Sequence, residues 1–129
     1  MFFTKIILNR KLFNILRKLH TDKKNTNNLI SVIENYNTND KLLLFWGYRL
    51  SIYTIKNYLQ TFLYNNKEPL TCLEEAALSY IILKQLGKSC TLKIAVSKIP
   101  AINFHAWTEC EGEIFFTSDE NMTILKSIA

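Results

Sequence analysis

The sequence predicts an α+β fold, with a helical N-terminal region, one further helix and then a small antiparallel sheet. Three observations predict it. Apolar residues recur at helical spacing over 2–20, and 72–86 is dense in helix formers. Residues 90–117 change to short apolar runs with polar residues between them. Turn-forming residues cluster between these blocks. With 129 residues, 48% of them hydrophobic and 12% aromatic, there is material for one domain with its own core. The reading is a single domain, 1–129, made of a helical region 1–66 and a second part 67–129.

The elements follow in chain order. Phe3, Ile6, Ile7, Phe13, Leu16 and Leu19 recur with basic residues between them, which predicts a first helix over 2–20. His20 to Asn28 is polar and turn-rich and reads as a loop, with a short helix expected from Leu29 to Tyr36. The aromatic-rich stretch from Lys41 to Tyr64 has apolar residues around most of its circumference, so a largely buried helix is expected there, kinked at Gly47. Thr71 and Glu74 match a capping box, which starts the next helix at Cys72, and Gly87 stands where a C-terminal cap is expected. Three strands should follow, in CTLKIAVSKI, NFHAWTECEG and EIFFT, the last two joined by a tight turn at Glu111 to Glu113.

Charge is unevenly spread. Residues 1–24 hold seven basic residues and one acid, whereas the remainder holds nine basic residues and ten acids. A basic amphipathic N-terminus suits an acidic protein partner, a membrane surface or nucleic acid, and by itself selects none of them. The longest greasy stretch, Leu42 to Ile55, is interrupted by Gly47 and Arg49 and is too short for a membrane span. The N-terminus lacks an apolar signal region and cleavage site. The expectation is a cytoplasmic protein without an integral membrane segment. Cys72, Cys90 and Cys110 are odd in number and widely spaced, with no CxxC pair, and read as free thiols.

The chemistry centres on Cys72. At the first position of a capped helix a thiol lies among unpaired N–H groups at the positive end of the helix dipole, which favours the thiolate. Glu74 and Glu75 in the same turn oppose this, so a base is needed. His20 falls in the polar loop. His105 lies on the second strand, with Ala101, Asn103, Trp107 and Glu109 on its own face and Ile102, Phe104, Ala106 and Thr108 on the other. That mixed face suits a cleft wall better than a core. A nucleophilic cysteine requires such a base, and a third group to fix the imidazole.

Cys72 to Phe116 resembles the transglutaminase-like leader peptidase of lasso-peptide biosynthesis, the stand-alone C-terminal half of its B protein. The resemblance is carried by Cys72-Leu73, Ala76, Leu78, Leu83 and Gly87, by Leu92, Ile94 and Val96, and by His105-Ala106-Trp107 with Glu109 and Gly112. It implies a papain- or transglutaminase-like cysteine protease core over 67–129, in which the helix bearing Cys72 packs on an antiparallel sheet bearing His105. Cys72 would be the nucleophile and His105 the general base, with no cofactor and no metal. The family's third triad member is an aspartate on the next strand. Here Thr117 aligns with it and Asp119 stands two residues on, so Asp119 is the expected orienting acid, with Thr117, Glu109 and Asn103 as the alternatives.

The resemblance further implies that the substrate is the leader of a ribosomally made precursor. The partners would be a separate leader-recognition protein (a RiPP recognition element) and a lasso cyclase. The basic first helix and the aromatics Phe45, Trp46, Tyr48 and Tyr53 are the expected docking surface. The backbone N–H of Cys72 would be one oxyanion donor, with Gln60, Asn65 and Asn66 lying upstream as side-chain amides. Three rival readings remain. One is a metal site built from Cys72, Cys90, Cys110 and His105, whose spacing fits no familiar zinc pattern. The second is a non-enzymatic adaptor binding through residues 1–24, although no nucleic-acid motif or aromatic stacking platform accompanies the charge. The third is a transferase using the same Cys and His with an amine in place of water.

Overall fold

The computed structural model describes residues 2–21, 31, 33, 50–65, 70–98, 102–115 and 122–129, with side chains of the first helix from Leu8 to Leu19. Helix α1 is Phe2–Thr21. Leu8, Leu12, Ile15, Leu16 and Leu19 form its buried stripe, while Arg10, Phe13, Asn14, Arg17 and Lys18 stay exposed. His20 therefore belongs to the last turn of α1 and not to a loop. Burial of Leu19 holds that turn by packing, which outweighs the polar composition that follows it. Of the short helix expected from Leu29 to Tyr36, only Ser31 and Ile33 are described; both are helical and Ile33 is buried.

Helix α2 is Ile52–Tyr64. One continuous helix from Lys41 does not form. Ser51 is extended, with φ −71° and ψ 156°, and its hydroxyl accepts the Thr54 amide at 3.2 Å. A serine that caps a helix competes with the helix running through it, and here local capping overrides the apolar run. Burial on α2 is also one-sided. Ile52, Ile55, Leu59 and Phe62 face the core and Tyr53 and Tyr64 face solvent. Residues 41–49, with the expected kink at Gly47, lie outside the described residues. Contacts of Phe13 with Phe62, edge to face at 5.1 Å, and of the Tyr58 hydroxyl with Asn9 Oδ1 join α2 to α1.

Helix α3, Cys72–Gln85, is the central element, with ten of its 14 residues buried. A helix apolar around its whole circumference needs cover on several sides. It receives α1 on one side and the sheet strands β1, Cys90–Ser97, and β2, Asn103–Cys110, on another. Its C-terminus closes as a Schellman motif: the Lys88 amide donates to the Leu83 carbonyl at 2.9 Å and the Gly87 amide to the Lys84 carbonyl at 3.0 Å. Gly87 adopts φ +78°, the left-handed conformation the motif demands.

The sheet continues with β3, Glu113–Phe115, and β4, Thr123–Ile128, in the order β3-β2-β1-β4. Every described pairing is antiparallel. A tight turn joins β2 and β3 where one was expected at Glu111 to Glu113, but it takes only two residues, Glu111 at φ +51° and Gly112 at φ +80°, the type I′ pattern that matches strand twist, and Glu113 already belongs to β3. The count of three strands is corrected to four. β4 escapes the sequence pattern because only Ile128 on it is buried. Its existence follows from β1, whose Leu92, Ala95, Val96 and Ser97 are buried and which pairs on both edges. The Tyr80 hydroxyl donates to the Ala129 carbonyl at 2.8 Å and pins the end of β4 to α3. Among the described residues no helix is long and apolar enough to cross a membrane.

Candidate active site

The start of α3 is built as its sequence foretells. Thr71 is extended, with φ −70° and ψ 161°, and its hydroxyl accepts the Glu74 amide at 3.2 Å. The Glu74 carboxylate reaches back to accept the Thr71 amide, also at 3.2 Å. Glu74 is buried beneath this box, and burial raises the carboxyl of Glu75 above its ordinary range. Cys72 is thereby fixed as the first helical residue, and it is exposed. The Thr71 carbonyl accepts the Glu75 amide. The amides of Cys72 and Leu73 have no partner among the described residues, which leaves two N–H groups directed out of the helix beside the thiol.

Tertiary structure carries this thiol to β2. Cys72 Sγ donates to the Phe104 carbonyl at 3.9 Å, the long end for a sulfur donor. One helical turn on, the Ala76 carbonyl accepts the hydroxyl of buried Thr108 at 2.8 Å. These two contacts run α3 alongside β2 in the same direction, so the helix start meets the strand start. The thiol lies against the peptide unit that joins Phe104 to His105. The two residues picked out by the sequence are brought to one end of the sheet.

The His105 side chain nevertheless leaves β2 on the face away from α3. The Thr108 bond to Ala76 turns Phe104, Ala106, Thr108 and Cys110 toward α3, so alternation sends Asn103, His105, Trp107 and Glu109 to the opposite face. His105 is half-buried and stands opposite Ala95 on β1. Trp107 is buried there, outside the main core cluster. Among the described residues β3 pairs only with Thr108 to Cys110. No hydrogen bond among the described residues joins the imidazole and the thiol.

Glu109 is committed elsewhere. Trp107 Nε1–H donates to its Oε1 at 3.0 Å and Lys93 Nζ pairs with its Oε2 at 2.9 Å. The indole hydrogen bond, followed by that from Lys93, holds the Glu109 carboxyl below the usual carboxylate range. It also begins about 13 Å from His105 along the strand, four residues at the usual rise. Asn103, exposed, shares the face of His105 two residues away. Asp119 and Thr117 lie outside the described residues, as does Asn66; Gln60 and Asn65 are exposed on α2 and at its C-cap. What the sequence did not disclose is the Phe104 carbonyl as the neighbour of the thiol, and Thr108 as the residue that sets the helix on the strand. Thr108 offered a signal, a lone hydroxyl on an otherwise apolar strand face.

The remaining cysteines are of another kind. Cys90 and Cys110 are free, buried and directly opposite each other across β1 and β2. They lie at the far end of β2, six residues or about 20 Å from Phe104. The three thiols do not converge with His105, and among the described residues no cluster of three or more metal-ligating side chains forms. Burial, and then the neighbouring Cys110, push the Cys90 thiol up to about 12; burial, and then Glu111, push Cys110 up to about 11. Against an ordinary value of 9.0, these carry roughly 1,000-fold and 100-fold less thiolate near neutral pH than an unperturbed cysteine. In the native protein exposed Cys72 should react with iodoacetamide well before either of the two, which are buried and held as thiols. Mass mapping of alkylated peptides against time reads this directly. Equal labelling of all three in the native state, as expected only after denaturation, contradicts the burial described.

A capped helix bearing an exposed thiol packs on an antiparallel sheet whose second strand bears a histidine, the two residue types that nucleophilic cysteine chemistry uses. The sequence profile of the transglutaminase-like superfamily matches residues 54–128, more than half of the chain. The protein belongs to that superfamily. The match takes in most of α2, all of α3 and the four strands, and leaves α1 outside it. Members of the superfamily are commonly cysteine-dependent enzymes. No curated protein and no solved structure matches the chain.

Proposed function

We propose that this transglutaminase-like protein is a cysteine peptidase that removes the leader from a ribosomally synthesised lasso-peptide precursor. The observation that carries the reading is the exposed Cys72 thiol at the capped start of α3, set against the peptide unit that begins at Phe104 and leads into His105. The resemblance of Cys72 to Phe116 to lasso leader peptidases supplies the substrate.

In the proposed reaction His105 takes the thiol proton, and the Cys72 sulfur attacks the carbonyl carbon of the peptide bond between leader and core. The amides of Cys72 and Leu73 face the oxyanion that forms. His105 then gives its proton to the departing amine, which frees the core peptide and leaves the leader as a thioester on Cys72. Water, deprotonated by His105, releases the leader as its acid and restores the thiol. Asp119 is the group assigned to orient the imidazole, with Thr117, Asn103 and Glu109 as substitutes in that role. For His105 to serve, its ring must come within hydrogen-bond reach of Sγ. Productive substrate binding is assigned that task, since catalytic hydrogen bonds commonly tighten only in the complex.

A separate leader-recognition protein delivers the precursor, and the basic outward face of α1, including Arg10, is its docking surface, together with exposed Tyr53 in the first turn of α2. Phe45, Trp46 and Tyr48, assigned to the same surface, lie outside the described residues. A lasso cyclase acts after cleavage on the freed core. The deciding experiment incubates the protein with a lasso precursor and its recognition protein and follows masses. Leader acid and free core are the expected products. Intact precursor in the presence of a Cys72 that still alkylates rejects the peptidase reading, and a leader amide formed with an added amine establishes transfer in its place. The chemistry up to the thioester is common to both outcomes.

A further inference from the structure

The only described hydrogen-bonding neighbour of the Cys72 thiol is the backbone of Phe104, yet the Phe104 side chain is 61% exposed and Ile102, two residues earlier, is 73% exposed. The strand face they continue is otherwise sealed. Ala106, Thr108 and Cys110 lie under α3, and Val96, opposite Phe104 on β1, is buried. The apolar face of the sheet thus runs out into solvent where the nucleophile emerges. Leaving two large apolar side chains in water forgoes the burial that places such residues in cores.

We propose that Phe104 and Ile102 form a specificity subsite for an apolar side chain, aromatic or branched aliphatic, on the acyl residue of the polypeptide that Cys72 attacks. The inference rests on Cys72 being the nucleophile. A peptide residue reaches about 3.3–3.6 Å along the chain, and Sγ lies 3.9 Å from the Phe104 carbonyl. The residue bonded to sulfur therefore lies within about one residue's length of the Phe104 backbone, from which the exposed Phe104 side chain projects. An apolar side chain there covers Phe104 and Ile102 from water, and a charged or strongly polar one is desolvated without a partner. The pair thus favours acyl residues by what they bury. Members of the active-site machinery itself, Cys72 and His105, are untouched by this selection.

The test uses two haloacetamides with the same electrophilic carbon and different amide substituents, N-phenethyl-iodoacetamide and N-(2-hydroxyethyl)-iodoacetamide. The ratio of their rate constants at Cys72 isolates the contribution of the substituent. In the wild type the phenethyl reagent should label about tenfold faster, the size expected for covering one phenyl group. Phe104→Ser, and more fully Ile102→Ser with Phe104→Ser, should bring the ratio close to one. Both positions are exposed, and an unchanged thermal midpoint verifies that the fold is intact. A ratio of one in the wild type, or a ratio unaffected by the substitutions, overturns the subsite. No turnover is measured, so failure of the subsite and failure of the peptidase reading are separate results.

Discussion

Cys72→Ala is expected to abolish precursor cleavage, and His105→Ala to lower it by about 10²–10⁴-fold, the range of a general acid–base group. The two losses should differ in kind. Without sulfur no thioester forms, and no acyl adduct will be found on the protein by mass spectrometry. Without the imidazole the thiol remains exposed at the capped helix start, so iodoacetamide still reaches it, and cleavage should partly return as pH rises and hydroxide takes over the role of base. His105→Ala with undiminished cleavage would mean that the ring stays on the Trp107 face of β2 and another base serves Cys72. Asp119→Asn separates orientation from proton transfer. A loss smaller than that of His105→Ala, with a shifted pH profile, fits an orienting acid, whereas no effect at all passes the role to Asn103 or Thr117. Glu109 is the weakest substitute, since Trp107 and Lys93 already hold both of its oxygens.

Phe115→Ala is expected to destabilise the fold by about 3–5 kcal/mol, as removal of a buried aromatic does. Phe115 is wholly buried and lies opposite Thr108 on β2, although β3 itself has only three described residues. The side chain fills space between the β2–β3 hairpin and the core, and the cavity left behind adds to the lost transfer energy. For a domain whose whole stability is about 5–15 kcal/mol this is a large share, and the thermal midpoint should fall by roughly 10–20 °C. Phe104→Ala is the control. The same residue type at the start of β2 is mostly solvated, and its loss should change stability by less than about 0.5 kcal/mol. Equal midpoints for the two variants would show that Phe115 is not the core residue described. Chemical denaturation with an unchanged m-value assigns the difference to stability and not to altered compactness.

How far each feature could be read depends on the range of the interaction that makes it. α3 was legible in full, because its cap at Thr71 and its Schellman glycine at Gly87 involve residues within a turn of each helix end. The turn at Glu111–Gly112 was legible for the same reason, positive φ being a local demand. The break at Ser51 was local too, but the apolar run through it gave a stronger signal than one hydroxyl. β4 was not legible, since an exposed edge strand has no alternation to display and exists only through its pairing with β1.

By itself the sequence determined an exposed-capable thiol at a fixed helix start, a histidine on the second strand after it, and the α+β order of elements, all consequences of capping, periodicity and turn chemistry. Tertiary structure alone decided that the helix start meets the strand start, through Thr108 on Ala76 and Cys72 on Phe104. It also decided that His105 leaves β2 on the face turned away from α3. Which face of a strand a helix covers is set by the packing of residues far apart in the chain, and no pattern within either element contains it.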